Sequence, residues 1–361
     1  MTSIQNAIPL EVTQNTVSNM QILKSNTSGK IMKDSLGRIL YTNLPALEIT
    51  FNDIANVPVD DASSISEWNT FFDLPTYGTA FSSVLVNLNT VTLYGGSNIT
   101  IKDGLFYGSG AILDVQDDIG CIVAAGAACF SGCYNLADPK LTALLSAGLD
   151  CFRGCTSLVN PDFSSLKTAG DYCFAFCTSL VNPNFSGLTS SGDSCFYSCT
   201  NMQNPDFSSL VTATYQCFMY CTSLALTIFT SLKTAEYLSF YGCSSLVNPD
   251  FSSLESIGEE CYHNCSGLSN PNFSSVKTIG DYAFAHCSAF VDLNFPALEN
   301  LGTTVANNNV FWPKYGLDIT LTIPTSLMTC NGGNPDGDIQ YLIDNNTVTI
   351  YNPSGVQIYP T

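Results

Sequence analysis

The chain has 361 residues, 45% of them apolar, so it can bury a substantial core and is not disordered by composition. Charged residues make up only 11%, yet acids outnumber bases 30 to 11 and leave a formal net charge of −19. A polyanion of this kind repels nucleic acid and anionic lipid over most of its surface, which excludes both as partners.

The charge is unevenly spread. Residues 1–40 hold Lys24, Lys30, Lys33 and Arg38 against Glu11 and Asp34, which makes them about +2 and the remainder about −21. Lys30–Tyr41 (KIMKDSLGRILY) has apolar residues on both sides of a glycine turn and reads as a hairpin. Residues 1–60 are therefore expected to be an N-terminal docking segment for an acidic neighbour, another protein or the chain's own body. Residues 61–104 read as strands broken by Gly95-Gly96 and form an expected β-rich cap. The opening MTSIQNAIPLEVTQ lacks a basic run followed by an apolar stretch, and no later segment offers eighteen uninterrupted apolar residues. No Sec-type export signal or membrane-inserting span is readable. Without such a signal, the 16 cysteines read as thiols made in a reducing cytoplasm.

From residue 105 onward the chain repeats itself. Cys133, Cys155, Cys177, Cys199, Cys221, Cys243, Cys265 and Cys287 are spaced 22 apart without an insertion. With that cysteine as position zero, an aromatic residue stands at −3 (Phe130 to Phe284, with Tyr262 among them) and an apolar one at +3. Phenylalanine fills +8 from Phe163 to Phe295, and Leu or Val fills +11. Columns of this kind mean that each repeat is one coil of a solenoid whose apolar face is buried only against its neighbours. Eight coils at roughly 5 Å each give a rod of about 40 Å. Leu105–Val115 reads as one further, irregular coil with Ser109 in the cysteine place.

The columns resemble the BspA-type leucine-rich repeat, most clearly in SIGEECYHNCSGLSN (Ser256–Asn270) and TIGDYAFAHCSAF (Thr278–Phe290). The resemblance spans residues 105–302 and implies a repeat solenoid with 22-residue coils, short parallel strands on one face and irregular β-rich caps. One departure is the proline at +6 (Pro139, Pro161, Pro183, Pro205, Pro249, Pro271), where the family has an aliphatic residue. Proline donates no backbone hydrogen bond, so each coil is expected to lose one ladder bond there.

A second cysteine column at −4 reads Cys129, Cys151, Cys173, Cys195, Cys217, Ser239, Cys261 and Ala283. Ser and Ala replace a small buried thiol, but neither replaces a zinc ligand or a disulfide partner. The zero column should place thiols one strand spacing apart, too far for an ordinary disulfide, and without histidine beside them. Both columns are read as buried thiols packing as small apolar residues.

Candidate chemistry is sparse. His263 and His286 sit at −2 and −1 of different coils with no further ligands recurring beside them, and the bland reading is two exposed loop histidines. No GxSxG, Walker, GxGxxG or HExxH motif occurs, so no catalytic residue, cofactor or metal is expected. NGGNPDGD (Asn331–Asp338) offers two carboxylates but misses the EF-hand spacing, and a tight surface turn is the competing reading to calcium.

Two faces remain as candidate binding surfaces. Positions +5 and +7 carry Asn160 and Asp162, Asn182 and Asn184, Asn204 and Asp206, Asn248 and Asp250, and Asn270 and Asn272. They read either as an amide ladder that stabilises the stack or as a strip for sugar hydroxyls or peptide groups. Positions −2 and −1 vary between coils and include Arg153, Phe176, Tyr197, Tyr220, Tyr241, His263 and His286. They read either as a recognition surface or as simple cover for the convex side. The coil Ser223–Leu232 lacks the Asn-Pro-(Asp/Asn)-Phe signature. Residues 303–361, with their alternating β-branched runs, read as a widened last coil and C-terminal cap.

Proteins with such repeats occur as bacterial and protist surface adhesins and in bacteriophage virions. The resemblance therefore implies a non-catalytic scaffold presenting one solenoid face to a host surface glycan or protein. The absent export signal and cytoplasm-compatible thiols point, among these, to a virion fibre or receptor-binding protein, joined to other virion or surface proteins by its N-terminal segment. A secreted adhesin at the cell surface is the alternative, and homo-oligomerisation is left open. A carbohydrate-active enzyme is the reading from another class. It would need paired carboxylates, yet Asp162 and Asp206 should lie about 10 Å apart with an asparagine between them.

Overall fold

A computed structural model describes residues 98–360, apart from 102, 111, 118, 119, 121, 226, 227, 248, 270, 303–308, 314 and 315, together with the backbone of four earlier strands. Those strands are β1 (Glu11–Gln14), β2 (Gln21–Lys24), β3 (Ala46–Phe51) and β4 (Thr90–Gly95). β1 and β2 pair antiparallel, and β3 pairs parallel to β4. The expected Lys30–Tyr41 hairpin, with Lys30, Lys33 and Arg38, lies outside the described residues, and Lys24 ends β2.

The stack begins with β5 (Ile99–Ile101), β6 (Asp114–Gln116) and β7 (Ile122–Ala125). Each later coil then contributes two residues at +13 and +14 of its cysteine: β8 (Ser146–Ala147), β9 (Thr168–Ala169), β10 (Ser190–Ser191), β11 (Thr212–Ala213), β12 (Thr234–Ala235), β13 (Ser256–Ile257) and β14 (Thr278–Ile279). β15 (Asp292–Asn294) and β16 (Asn300–Leu301) follow. The pairing is parallel and in register, for example Thr168 beside Ser190 and Thr234 beside Ser256.

The ladder does not run through the Asn-Pro-(Asp/Asn)-Phe segment, where the sequence alternation places the strands. That segment forms only single-residue bridges, Asp162 to Asn184 to Asp206 to Ile228 to Asp250 to Asn272. The reason is the proline at +6: without an N–H it stops a ladder from propagating, whereas the short Thr-Ala or Ser-Ile pair at +13 has no such block. A third line of contact lies in the turn before each zero cysteine. There Asp150, Phe152 and Gly154 donate their N–H groups to the carbonyls of Asp171, Cys173 and Ala175 in the next coil. The chain manages this by entering the left-handed region twice per coil, at −5 (Asp150 φ 53, Tyr172 φ 53) and at −1 (Gly154 φ 69, Phe176 φ 61).

Six of the eight cysteine coils have glycine at −7, where the coils approach closely. An ideal Cβ on Gly170 would stand 2.6 Å from Leu149 N and 2.7 Å from Gly148 C, distances that real Cβ atoms do not tolerate. The first coil with another residue there has Thr214, and at that seam the parallel ladder divides into two five-stranded sheets, β5–β7–β8–β9–β10 and β11–β12–β13–β14–β16. Gly170→Ala should lower stability by about 1–3 kcal/mol, because the coil must shift to admit the methyl group; a urea midpoint unchanged from the parent would contradict this.

The interior consists of two stacked columns of rings. Phe152, Phe174 and Phe196 at −3 lie 5.2 and 5.4 Å apart and nearly coplanar, and Phe185 and Phe207 at +8 are stacked at 5.4 Å. The columns meet edge to face, as at Phe196 and Phe207 with centroids 5.0 Å apart. Tyr262 continues the first column fully buried, and its hydroxyl finds no hydrogen-bond partner. Tyr262→Phe should therefore stabilise the protein by about 1–3 kcal/mol, read as a higher midpoint of denaturation.

The zero cysteines have a specific task. Each thiol donates to the carbonyl of the ring residue of the preceding coil: Cys155 to Phe130 at 3.2 Å, Cys177 to Phe152 at 3.1 Å, Cys199 to Phe174 at 3.1 Å and Cys287 to Tyr262 at 3.0 Å. The thiol thus serves as a small buried group that also satisfies a carbonyl of the coil before it. The −4 column has looser demands, and Ser239 replaces a thiol while touching Cys261 Sγ at 3.2 Å. The described cysteines are free, all but Cys330 are buried, and burial raises thiols such as Cys217 and Cys261 to about 12. A thiol held protonated in this way is a poor nucleophile at neutral pH.

The C-terminal end departs from a plain widened coil. β15 pairs with β17 (Asp318–Thr322), β17 with β18 (Thr347–Tyr351), and β18 antiparallel with β19 (Gln357–Tyr359). Between β17 and β18 lies helix α1 (Gly337–Asn345), which no sequence pattern singled out. NGGNPDGD is partly a turn, bridged between Asn331 and Asn334, and partly the start of this helix, with Asp336 as its N-cap. Asp336 and Asp338 are both fully buried, and one oxygen of each has no partner.

Candidate functional site

The two candidate faces differ in what their atoms are doing. On the +5/+7 strip the side chains are engaged in the stack. Asn160 Oδ1 accepts from Asn182 N at 3.0 Å, and Asn204 Nδ2 donates to Asn182 Oδ1 at 3.2 Å. At +7, the Oδ1 atoms of Asp162, Asn184, Asp206, Asp250 and Asn272 each accept from the backbone N–H two residues on, at 2.9–3.3 Å. These are Asx turns, which fix the chain as it leaves the bridge. Ile228, exposed, interrupts the column in the coil lacking the signature. Asn248 and Asn270 lie outside the described residues.

The −2/−1 face is organised otherwise, and its rings touch in an unbroken series. Phe176 meets Tyr197 at 5.3 Å, Tyr197 meets Tyr220 at 5.9 Å, and Tyr220 meets Tyr241 at 5.5 Å, all edge to face. Tyr241 then meets His263 at 4.9 Å, His263 meets His286 at 5.2 Å, and His286 meets Trp312 at 5.5 Å. The two histidines are thus not independent loop residues: they are stacked links in one aromatic ribbon along the solenoid. At its other end Arg153 places its guanidinium 5.4 Å from the Phe176 ring and 5.3 Å from the Tyr172 ring. Its Nη1 is 3.1 Å from Asp150 Oδ1.

The ribbon is built on strained backbone. At −1 the chain is left-handed in all eight cysteine coils, and glycine, which bears that conformation without cost, stands at Gly132, Gly154 and Gly242. Phe176 and Tyr220, both at φ 61, hold it with large side chains, each at a cost of about 1–2 kcal/mol. These rings do not fill the core, since Phe176 and Tyr220 are 38% and Trp312 44% exposed. At Tyr220 the next coil makes room: a Cβ on Gly242 would lie 2.9 Å from the Tyr220 ring.

Trp312 is the member the sequence columns do not announce. Phe311 stacks on Phe284 at 5.8 Å and so occupies the ring place of a ninth coil, which puts Trp312 at −2. The insertion between residues 302 and 310 breaks the 22-residue count, but an adjoining Phe-Trp pair after it is the signal that registers the coil. At His263, burial and then the neighbouring His286 hold the imidazole below its ordinary pKa. Its Nδ1 lies 3.3 Å from Glu260 Oε2 without the alignment of a hydrogen bond. Among the described residues no group of three or more His, Cys, Asp or Glu is arranged to hold a metal ion, and no helix is long and apolar enough to cross a membrane.

The chain is similar to solved structures of bacterial leucine-rich repeat proteins. A leucine-rich repeat protein from Bacteroides ovatus is 22% identical, with 73% of this chain and 70% of that chain covered and a TM-score of 0.52. A leucine-rich repeat protein from Eubacterium ventriosum is 16% identical over 80% of this chain and 94% of that one, at a TM-score of 0.40. A leucine-rich repeat protein from T. pallidum is 19% identical over 60% and 87%, also at 0.40. No curated protein matches the chain. The model of the BspA type leucine rich repeat region matches in six copies, over residues 76–164, 99–225 and 208–317, and with the thiol, ring and leucine columns occupying successive layers the chain belongs to that family.

Proposed function

We propose that the chain is a non-catalytic interaction scaffold that presents the ribbon from Arg153 to Trp312 to a glycan or protein on a host surface. We further propose that it acts as a virion component of fibre or receptor-binding type. The observation that carries the binding reading is the strained −1 column: large exposed rings occupy left-handed positions where neighbouring coils use glycine, and strain kept outside a core points to function. Exposed aromatic rows are also what recognition surfaces are built from. The virion reading is supported by buried, free thiols, which suit assembly in a reducing compartment.

Two measurements test these readings. Tyr220→Gly combined with Tyr241→Ala should abolish attachment of the purified chain to host cells while leaving its thermal midpoint unchanged or higher, since glycine relieves the left-handed strain at residue 220. Attachment equal to that of the parent removes the ribbon from the mechanism. Mass spectrometry of virion and cell-envelope fractions from the source culture decides location. Recovery with the envelope alone replaces the virion by a cell-surface protein.

A further inference from the structure

The edge that carries the ribbon is not electrically neutral. In positions −7 to −5, beside the rings, stand Asp150, Asp171, Asp193, Glu236, Glu259 and Glu260. The lysines of the same coils, Lys140, Lys167, Lys233 and Lys277, lie at +7 or +12 instead. There Lys233 and Lys277 pair with Glu255 at 3.3 and 2.7 Å. Among the described residues Arg153 is therefore the one fixed cation at positions −7 to −1, and it shows how such a group sits there. Its guanidinium lies over the rings of Tyr172 and Phe176, with Asp150 closing the charge. The same four places recur five coils further on as Glu260, His263, Tyr282 and His286. Between them stand the exposed rings of Phe176 and Tyr220, the half-buried rings of Tyr197 and Tyr241 and the exposed carboxylates of Asp171, Asp193, Glu236 and Glu259, with no cation among the described residues of that edge.

Resting on the reading of the ribbon as the binding face, we infer that its partner is a basic polypeptide surface, one that lays arginine or lysine side chains across the rings from Tyr197 to Trp312. Ring faces attract a guanidinium or ammonium through their quadrupole, and the carboxylates one turn away supply the countercharge. A neutral sugar would use the rings and leave the exposed carboxylates of Asp193, Glu236 and Glu259 without a counterpart in the partner. The chain's net charge of −19 adds long-range attraction for such a partner and speeds encounter at low salt.

The test uses the full chain and three probes: a peptide with four spaced arginines, the same peptide with citrulline in their place, and a neutral oligosaccharide. The arginine peptide should bind, and the citrulline peptide should bind at least about tenfold more weakly. Tyr220→Gly with Tyr241→Ala should weaken arginine-peptide binding by about tenfold or more, as should Asp193→Asn with Glu259→Gln. Asp162→Asn with Asp206→Asn, which changes the net charge equally but lies on the other face, should change it less than about twofold. Equal losses in the two charge-neutralised pairs mean attraction to the whole polyanion and overturn the inference, as does citrulline binding as tight as arginine or no peptide binding at all. Binding of the oligosaccharide alone, lost on Tyr220→Gly with Tyr241→Ala, overturns the basic partner and leaves the ribbon standing as the binding face. Binding of any probe that ignores both ring substitutions ends both readings.

Discussion

Phe196→Ala should lower the stability of the solenoid by about 3–5 kcal/mol, the cost of deleting a fully buried ring from a core that cannot collapse around the void. Phe196 touches four rings: Phe174 and Phe218 above and below at 5.4 Å, and Phe185 and Phe207 edge-on at 5.0 Å. Neighbouring coils are tied at the turn, the bridge and the strand, so no single coil can move inward to fill the space. The loss should be read from chemical denaturation. Because contacts are only between neighbours, hydrogen exchange should rise most in the coils on either side of residue 196, with the ends less affected. A loss below about 1 kcal/mol would mean that the ring columns do not carry the stack.

The C-terminal cap should lose stability as the pH rises from about 4 to 8. Burial, together with the charges of Asp336 and Asp281, raises Asp338 from its ordinary value to about 7, and burial raises Asp336 to about 6. Both folded values lie above those of the unfolded chain, so the folded cap holds more protons across this window. The stabilising contribution is complete below about pH 4 and disappears as the pH climbs through 6 and 7, with a total for Asp338 on the order of 2–4 kcal/mol. The geometry agrees: Asp338 Oδ1 accepts from Val310 N at 2.7 Å, Asp336 Oδ1 accepts from Asp338 N at 3.0 Å, and the other oxygen of each lacks a donor. Asp338→Asn keeps the Val310 bond, cannot ionise, and should flatten the upper part of the profile while raising stability at pH 8. Thermal unfolding across the pH series, with exchange rates of the α1 amides, measures both effects; a profile that rises with pH would refute the assignment.

Much of the molecule is legible in its sequence because a solenoid makes every coil answer to the same packing rule. The 22-residue spacing of the thiols, the rings at −3 and +8 and the aliphatic residues at +3 and +11 name the buried positions directly, since each must meet its own copy in the next layer. Cysteine as a small buried group follows from Ser239 and Ala283 standing in its second column. The variable −2 and −1 positions were also identifiable as a candidate face, from Arg153 to His286.

What the tertiary structure alone decided concerns backbone conformation and side-chain direction, which residue spacing does not encode. The strands lie at +13 and +14 and not beside the prolines, because there the backbone keeps the hydrogen-bond donors that a ladder needs. The thiol of each zero cysteine turns out to cap a carbonyl one coil back, a contact between residues 25 apart in sequence. The polar strip at +5 and +7, the other candidate face in the sequence, has its amides and carboxylates engaged in the stack and its turns. The aromatic face, in contrast, becomes one continuous ribbon only when left-handed backbone at −1 directs Phe176 and Tyr220 to meet the −2 rings of the next coil, and when Trp312 enters the row from beyond an insertion.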